Sequence, residues 1–224
     1  GTMNEVAGVV AGTGATLGLV LFGSGDGLGR HLGIHGPPAH ALALLAAGHT
    51  RLIDTGMAGG HPLFCAAGLG FEAEVAHRFN QLARRGFLRY LTTSARHFAA
   101  YQPEDYTLTH DGGTVRVRAF TLAVSNSDQY GNGAIIAPGA RIDDGLIDLT
   151  LVPPIRPLNA LPLLARLFSG SVHRVRGVLV RRSARFVIER AGLGLLHTDG
   201  EIHEAGRTIE FTVRPASLRI VCPR

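Results

Sequence analysis

Apolar and polar positions fall into three textures along the chain. The first fifty residues set short apolar runs between glycine-rich breaks. Asn4–Ala11 (NEVAGVVA) has helical spacing, GTGAT is a turn, and Leu17–Phe22 (LGLVLF) predicts a buried strand. A glycine turn, GSGDGLG, leads into a helix at GRHLGI. Gly36-Pro37-Pro38 then breaks the chain, and AHALALLAAG predicts a second helix ending at Gly48. Strand and helix alternate here as they do around a parallel sheet.

Beyond Arg51 the period shortens to two. RLIDTGMA, HPLFCAAG, YTLTHDGGTVRVRAFTLAVSN and DGLIDLTLV are β-branched and alternating, and DGGT reads as a hairpin connection. One stretch, Glu72–Tyr101, keeps helical spacing through Val75, Phe79, Leu82, Phe87, Leu91 and Phe98, and a shorter helix is expected after Pro157. Strands return at Val172–Val180, Ala184–Glu189, Ile209–Val213 and Leu218–Val221. The expected fold class is α/β plus β: an α/β fragment of about fifty residues ahead of an antiparallel, sandwich-like body.

Composition narrows the reading. With 46% hydrophobic and 17% charged residues the 224-residue chain can build a core, and disorder is excluded. From Val6 to Gly25 no residue is charged, a run long enough to span a bilayer. Five glycines interrupt it and no basic segment precedes it, so a helix–turn–strand unit fits better. All 22 basic residues are arginine. Without lysine, a GxxxxGK[ST] phosphate loop and Schiff-base catalysis are excluded. Arginines suit phosphates and acidic headgroups, although GC-rich coding alone gives the same bias. With no tryptophan and 6% aromatics, a base-stacking nucleic-acid module is not expected. Cys65 and Cys222 stand too far apart in sequence, and are too few, for a disulfide framework, which fits a reducing cytoplasm.

Three segments could carry chemistry. The strand LGLVLF, the turn GSGDG and the following helix form a phosphate-cradling geometry, but the spacing is not GxGxxG and an ordinary strand-to-helix turn fits equally well. In HTDGEIHE an extended backbone would put His197, Asp199, Glu201 and His203 on one face. That face suits a metal site, or a general base at Asp199 beside Glu201, while a plain hairpin with Asp-Gly at its tip is the bland alternative. In PGARIDDGLIDL the aspartates Asp143, Asp144 and Asp148 are too closely spaced for an EF-hand, yet one carboxylate with backbone carbonyls could hold a hard cation.

In order along the chain these pieces resemble the diacylglycerol kinase catalytic-domain superfamily, which holds bacterial lipid kinases and the diacylglycerol and sphingosine kinases. GTMNEVAGVV resembles the second half of its GGDGTxNEV nucleotide loop, and GSGDGLGRHLGI its G[ST]xNxxAR loop. FCAAGLGFEAEVA, SNSDQYGNGAIIAPGARIDDGLIDL and HTDGE each resemble a family block in its expected place. The resemblance implies two lobes with the site in the cleft between them. Residues 1–52 would be part of an α/β nucleotide-binding lobe, 53–210 a β-sandwich lipid-binding lobe, and 211–224 a strand returning to the first. It implies ATP against Gly1, Thr2, Asn4, Ser24 and Gly25, with Asp199 as proton acceptor and Glu201 as its neighbour. It also implies magnesium held by Arg141, Asp144 and Leu146. The implied activity is ATP-dependent phosphorylation of a lipid hydroxyl, on diacylglycerol or a sphingoid base. The expected setting is the cytoplasm, peripheral at the inner membrane face, with a homodimer as the assembly and no nucleic-acid partner. Arg174, Arg176, Arg181, Arg182 and Arg185 could lean on an anionic membrane, or form solvated strand faces.

The chain departs from the family pattern in starting inside the nucleotide loop and in having Asp26 and Gly29 where the family has Asn and Ala. This marks it as N-terminally truncated, with little kinase activity expected of it alone. A lipid- or membrane-binding remnant and a metallohydrolase built on the two histidines and two carboxylates are the competing readings.

Overall fold

The computed structural model describes residues 2–22, 26–81, 87–98 and 100–224. It opens with α1 (Thr2–Val10), the short strand β1 (Thr16–Leu17), α2 (Gly27–His31) and α3 (Pro38–Ala47). α3 begins at a proline, whose missing N–H would find no partner in a first turn. It stops at Gly48 in the left-handed region, with the Gly48 N–H donating to the Leu44 carbonyl.

The strands that follow are β2 (Thr50–Ala58), β3 (His61–Leu63), β4 (Ala66–Gly70), β5 (Glu104–His110), β6 (Gly113–Ala119), β7 (Thr121–Ser125), β8 (Gln129–Gly131) and β9 (Ala134–Ile135). The series continues with β10 (Ile147–Val152), β11 (Leu179–Ser183), β12 (Arg185–Arg190), β13 (Gly194–Thr198), β14 (Glu201–Ala205) and β15 (Thr208–Val221). One sheet runs β3-β2-β15-β12-β5-β6, with β1 added in parallel to the far end of β15. The other runs β11-β10-β7-β4-β13-β14, and β8 and β9 form a separate hairpin.

The two larger sheets bury a common core that includes Leu69, Leu108, Leu122, Leu149, Phe186, Ile188, Leu196 and Phe211. β4, β7 and β10, next to one another in the second sheet, are buried along their whole length. The alternation expected of them is therefore not an inside–outside one: β4 and β7 are built mostly of small and apolar residues, and in β10 the polar Asp148 and Thr150 are buried as well. A second core joins Ala7, Leu17, Leu28, Ile53, Phe64, Ile142, Leu218 and Ile220, and so packs α1 and α2 against β2 and β15.

Several expectations need correction. LGLVLF pairs only through Leu17, and Phe22 is largely exposed. Its partner β15 ends at Val221, just ahead of Pro223, so the following residues have no ladder to join. The single helix expected over 72–101 is two, α4 (Phe71–Asn80) and α5 (Phe87–Phe98), and Leu82 between them lies outside the described residues. The helix expected after Pro157 is present as α6 (Pro157–Phe168), with that proline in its first turn. Val172–Arg174, however, is a 3₁₀ turn, and β11 begins only at Leu179. The two strands expected at 209–213 and 218–221 are one, β15, irregular between Arg214 and Leu218, where Ala216 has φ +46°.

Candidate active site

The site grows from a tight turn and a corner. Thr198 pairs with Glu201, which leaves Asp199 and Gly200 as a two-residue hairpin turn with φ +51° and +89°. Positive φ at both positions suits the twist of a β-hairpin. At the corner, the chain leaves β3 in the first sheet and enters β4 in the second through Phe64 and Cys65. The Asp199 carboxylate fills that corner. Its Oδ1 accepts the backbone N–H groups of Cys65 at 2.8 Å and Ala66 at 3.1 Å, and its Oδ2 that of Phe64 at 2.9 Å. A fourth donor comes from α1: Asn4 Nδ2 reaches Asp199 Oδ2 at 2.7 Å. Burial pushes the Asp199 carboxyl above the usual carboxylate range, while these four donors favour its charged form.

The turn also separates the two histidines. His197 is opposite Ile202 and His203 is opposite Leu196. Cross-strand partners share a face, so His197 and His203 lie on opposite faces of the hairpin. The four-residue metal face therefore does not form, because Asp199 and Gly200 are spent on the turn rather than on extended strand. No group of three or more His, Cys, Asp or Glu side chains among the described residues is arranged to hold a metal. His203 stacks on His61 at 3.6 Å and hydrogen-bonds to the Thr198 hydroxyl. His197 is buried with its Nε2 at 3.3 Å from the Glu72 carboxylate on α4. Glu72 reaches it over Gly68, where any Cβ would overlap the carboxylate.

The nucleotide-side residues are placed as follows. Thr2 lies exposed in the first turn of α1 and Asn4 is buried on the same helix. Gly1, Ser24 and Gly25 lie outside the described residues. Just beyond them, the Asp26 carboxylate is held by Arg30 and His35. Gly29 leaves no room for a Cβ beneath Leu21, so the alanine of the family pattern would not fit as the side chains stand. Gly27 packs on the corner itself: a Cβ there would lie 2.8 Å from Cys65 Sγ. Glu201, the first residue of β14, is exposed.

The third segment forms a loop fastened by a residue that the sequence did not single out. Asp54, on β2 and 3% exposed, accepts the Gly145 N–H through Oδ2 and the Ala216 N–H through Oδ1, both at 2.7 Å. Its own N–H donates to the Ile142 carbonyl. Asn126 then links the loop to the corner, its Nδ2 donating to the carbonyls of both Asp54 and Phe64. Within this loop Asp144 Oδ1 accepts the Leu146 N–H at 3.1 Å. No backbone N–H among the described residues engages the carbonyls of Arg141 or Leu146. The other Asp144 oxygen, Oδ2, lies 3.6 Å from Arg182 Nη1, and by donor chemistry one carboxylate with two such carbonyls suits a hard, oxygen-seeking cation.

Sequence reasoning also missed a buried polar patch beside the corner. Asn126 Oδ1, Gln129 Oε1 and His197 Nδ1 are buried without a hydrogen-bond partner among the described residues. Native structures seldom leave such atoms unsatisfied without water or a ligand. The blocks SNSDQYGNG and HTDGE were its only sequence signal.

Comparison with known proteins places this geometry. The diacylglycerol kinase catalytic domain matches residues 1–58, and the YegS C-terminal NAD kinase beta sandwich-like domain matches residues 65–222. The chain is 31% identical to the "Probable lipid kinase YegS-like" of Pseudomonas fluorescens, over all of this chain and 75% of that protein. It is 28% identical to the diacylglycerol kinase of Mycobacterium tuberculosis, over all of this chain and 74% of that one. A solved structure of a diacylglycerol kinase from Bacillus anthracis superposes with a TM-score of 0.67 at 14% identity, covering 93% of this chain and 67% of that one. A second Bacillus anthracis structure of this kind gives 0.78 at 19%, covering 100% and 75%, and both likenesses speak for the fold. The chain belongs to the diacylglycerol kinase catalytic-domain superfamily. Within it, the chain falls with the YegS-like lipid kinases of bacteria.

Proposed function

We propose that this chain forms the acceptor side of an ATP-dependent lipid kinase, which moves the γ-phosphoryl group of ATP to a lipid hydroxyl. Diacylglycerol or a sphingoid base is the substrate class, and the surface of a membrane is where the lipid is met. Asp199 takes the hydroxyl proton as the lipid oxygen attacks the γ-phosphorus. The bond from that phosphorus to the bridging oxygen breaks, and ADP leaves. The observation that carries this reading is the hydrogen bond from Asn4 to Asp199. It sets the carboxylate beside the helix whose sequence resembles the family's nucleotide loop. A carboxyl raised by burial is a better proton acceptor than an ordinary one, and four donors fix its direction.

Thr2 and Asn4 would face the nucleotide together with Gly1, Ser24 and Gly25, and Glu201 would border the acceptor. Magnesium would be held by Asp144 and the carbonyls of Arg141 and Leu146, where it would add positive charge and stiffen the loop that Asp54 fastens. Phosphoryl transfer asks mainly for positioning and charge neutralisation, and arginines can supply the latter without lysine.

The test is transfer of label from γ-labelled ATP to diacylglycerol and to sphingosine. It should be run on this chain and on a chimera carrying the remaining quarter of the Pseudomonas fluorescens relative. Asp199→Asn, which keeps the shape and loses the proton acceptor, should lower the rate by about 10²–10⁴-fold. Full activity in that variant would overturn the assigned role, and no transfer to either lipid in the chimera would overturn the kinase reading.

A further inference from the structure

α6 is apolar on two opposite faces. Ala160, Leu163, Leu164 and Leu167 are half-buried against the protein, with Leu167 packed on the small core around Ile136 and Ala137. The opposite stripe comprises Leu158, Leu161, Ala165 and Phe168, spaced by three, four and three residues and therefore aligned along one side of the helix. All four are exposed: Leu158 is 88% and Leu161 is 76% accessible, and no residue of the helix is fully buried. Single exposed leucines are ordinary, but two of them, with an alanine and a phenylalanine, aligned on one side of a short helix are not.

The charge around the stripe is one-sided. From Leu149 to Ile188 the sequence holds no acidic residue and seven arginines. Arg182 and Arg185 are engaged by Asp148 and Glu210. Arg156, Arg166, Arg174, Arg176 and Arg181 are exposed and form no ion pair with an acidic side chain among the described residues. An apolar stripe on a helix without acidic residues, with Arg156 at its N-cap and Arg166 in its last turn, neither tied to a carboxylate, is complementary to a lipid surface with negative headgroups.

We propose that the outer face of α6 is a membrane-docking surface, in which Leu158 and Leu161 enter the acyl boundary while Arg156 and Arg166 hold anionic headgroups. The proposal deepens the lipid-kinase reading and rests on it for its purpose, but its physical basis is separate. Placement supports that purpose. α6 packs against the β8–β9 hairpin through Leu167 and Gly170, and the Gln129 carbonyl of that hairpin accepts from Cys65 in the Asp199 corner.

The test is binding to vesicles without nucleotide, so that kinase activity plays no part. The chain should sediment with phosphatidylcholine vesicles containing phosphatidylglycerol and not with phosphatidylcholine alone, and high salt should weaken the association. The double variant Leu158→Ser/Leu161→Ser should keep the melting temperature and lose about tenfold or more in partitioning. Because the chain has no tryptophan, Leu161→Trp gives a clean reporter whose emission should move to the blue on the anionic vesicles. Unchanged partitioning of the double variant, or indole emission that stays put in the Leu161→Trp variant, would overturn the proposal. So would a loss of dimer in the double variant by light scattering, which would make the stripe an interface between two copies. Failure of the kinase reading is seen separately, in label transfer to a soluble short-chain diacylglycerol.

Discussion

Asn4 and Asp199, 195 positions apart in sequence, are joined by a 2.7 Å hydrogen bond. It ties the first helix to the tip of a hairpin close to the other end of the chain. The three remaining donors to the carboxylate are backbone N–H groups, so Asn4 is the only donor in this set that a substitution can remove cleanly. Asn4→Ala should cost about 1.5–3 kcal/mol, the usual worth of a hydrogen bond to a charged group. In a chain of this size that lowers the melting temperature by roughly 3–12 °C, which calorimetry would show. An unchanged melting temperature would mean that the two residues are not held together in solution.

Asp54 makes a sharper case, because its buried carboxylate serves two part-buried backbone donors, at Gly145 and Ala216, that have no other partner in the described structure. Asp54→Ala strands the N–H groups of Gly145 and Ala216. At about 1–3 kcal/mol for each unsatisfied donor, the loss should be about 2–6 kcal/mol in urea unfolding. Asp54→Asn retains one acceptor and should lose less.

The stacked pair His61–His203 gives stability a dependence on pH. Burial, and after it the neighbouring His61 and His197 rings, hold the His203 imidazole below its ordinary value. The unfolded chain then takes up this proton more readily than the folded one. The contribution is fully present above the ordinary histidine range near 6.5 and is lost as pH falls through it toward the lowered value. Urea melts at neutral and mildly acidic pH should show a shallower acid loss for His203→Asn than for the parent chain. Equal slopes would remove His203 from the account.

Cys65 lies against the same corner as a free, buried thiol. Burial, followed by the nearby Asp199 carboxylate, pushes it up to about 12. At pH 8 only about one thiol in 10⁴ would be ionised. Cys65 should therefore resist alkylation in the native protein and react only on unfolding, as mass spectrometry with and without urea would show.

Much of this arrangement was legible in the residues, and its gaps have physical causes. α3 and α6 carry their own stops and starts, Gly48 and Pro157, and the DGG turn between β5 and β6 declares itself. The Asp-Gly tip at 199–200 was readable too, but its consequence was not. A two-residue turn reverses the chain, so His203 goes to the face away from His197, whereas counting by twos along a straight strand puts them together. HPLFCAAG reads as one strand because Leu63 to Gly68 are buried without a break. Nothing local marks Phe64 and Cys65 as the crossing between sheets, although that crossing frees the N–H groups that hold Asp199. Asp54 looked like any polar position in an alternating strand. Its partners at Gly145 and Ala216 are 91 and 162 residues away, a distance no spacing rule spans.

β15 has a consequence for how the protein comes into being. Its first half lies between β12 and β2, and beyond the irregularity at Ala216 it lies between β2 and β1. It also follows every other described strand in chain order. While the ribosome is still short of Val221, β1 and much of β2 lack the neighbour against which they align, and unpaired strand edges invite wrong partners. The first sheet is thus completed only after the strands β1 to β14 have all emerged, and the edges of β2 and β12 that β15 covers stay open until then.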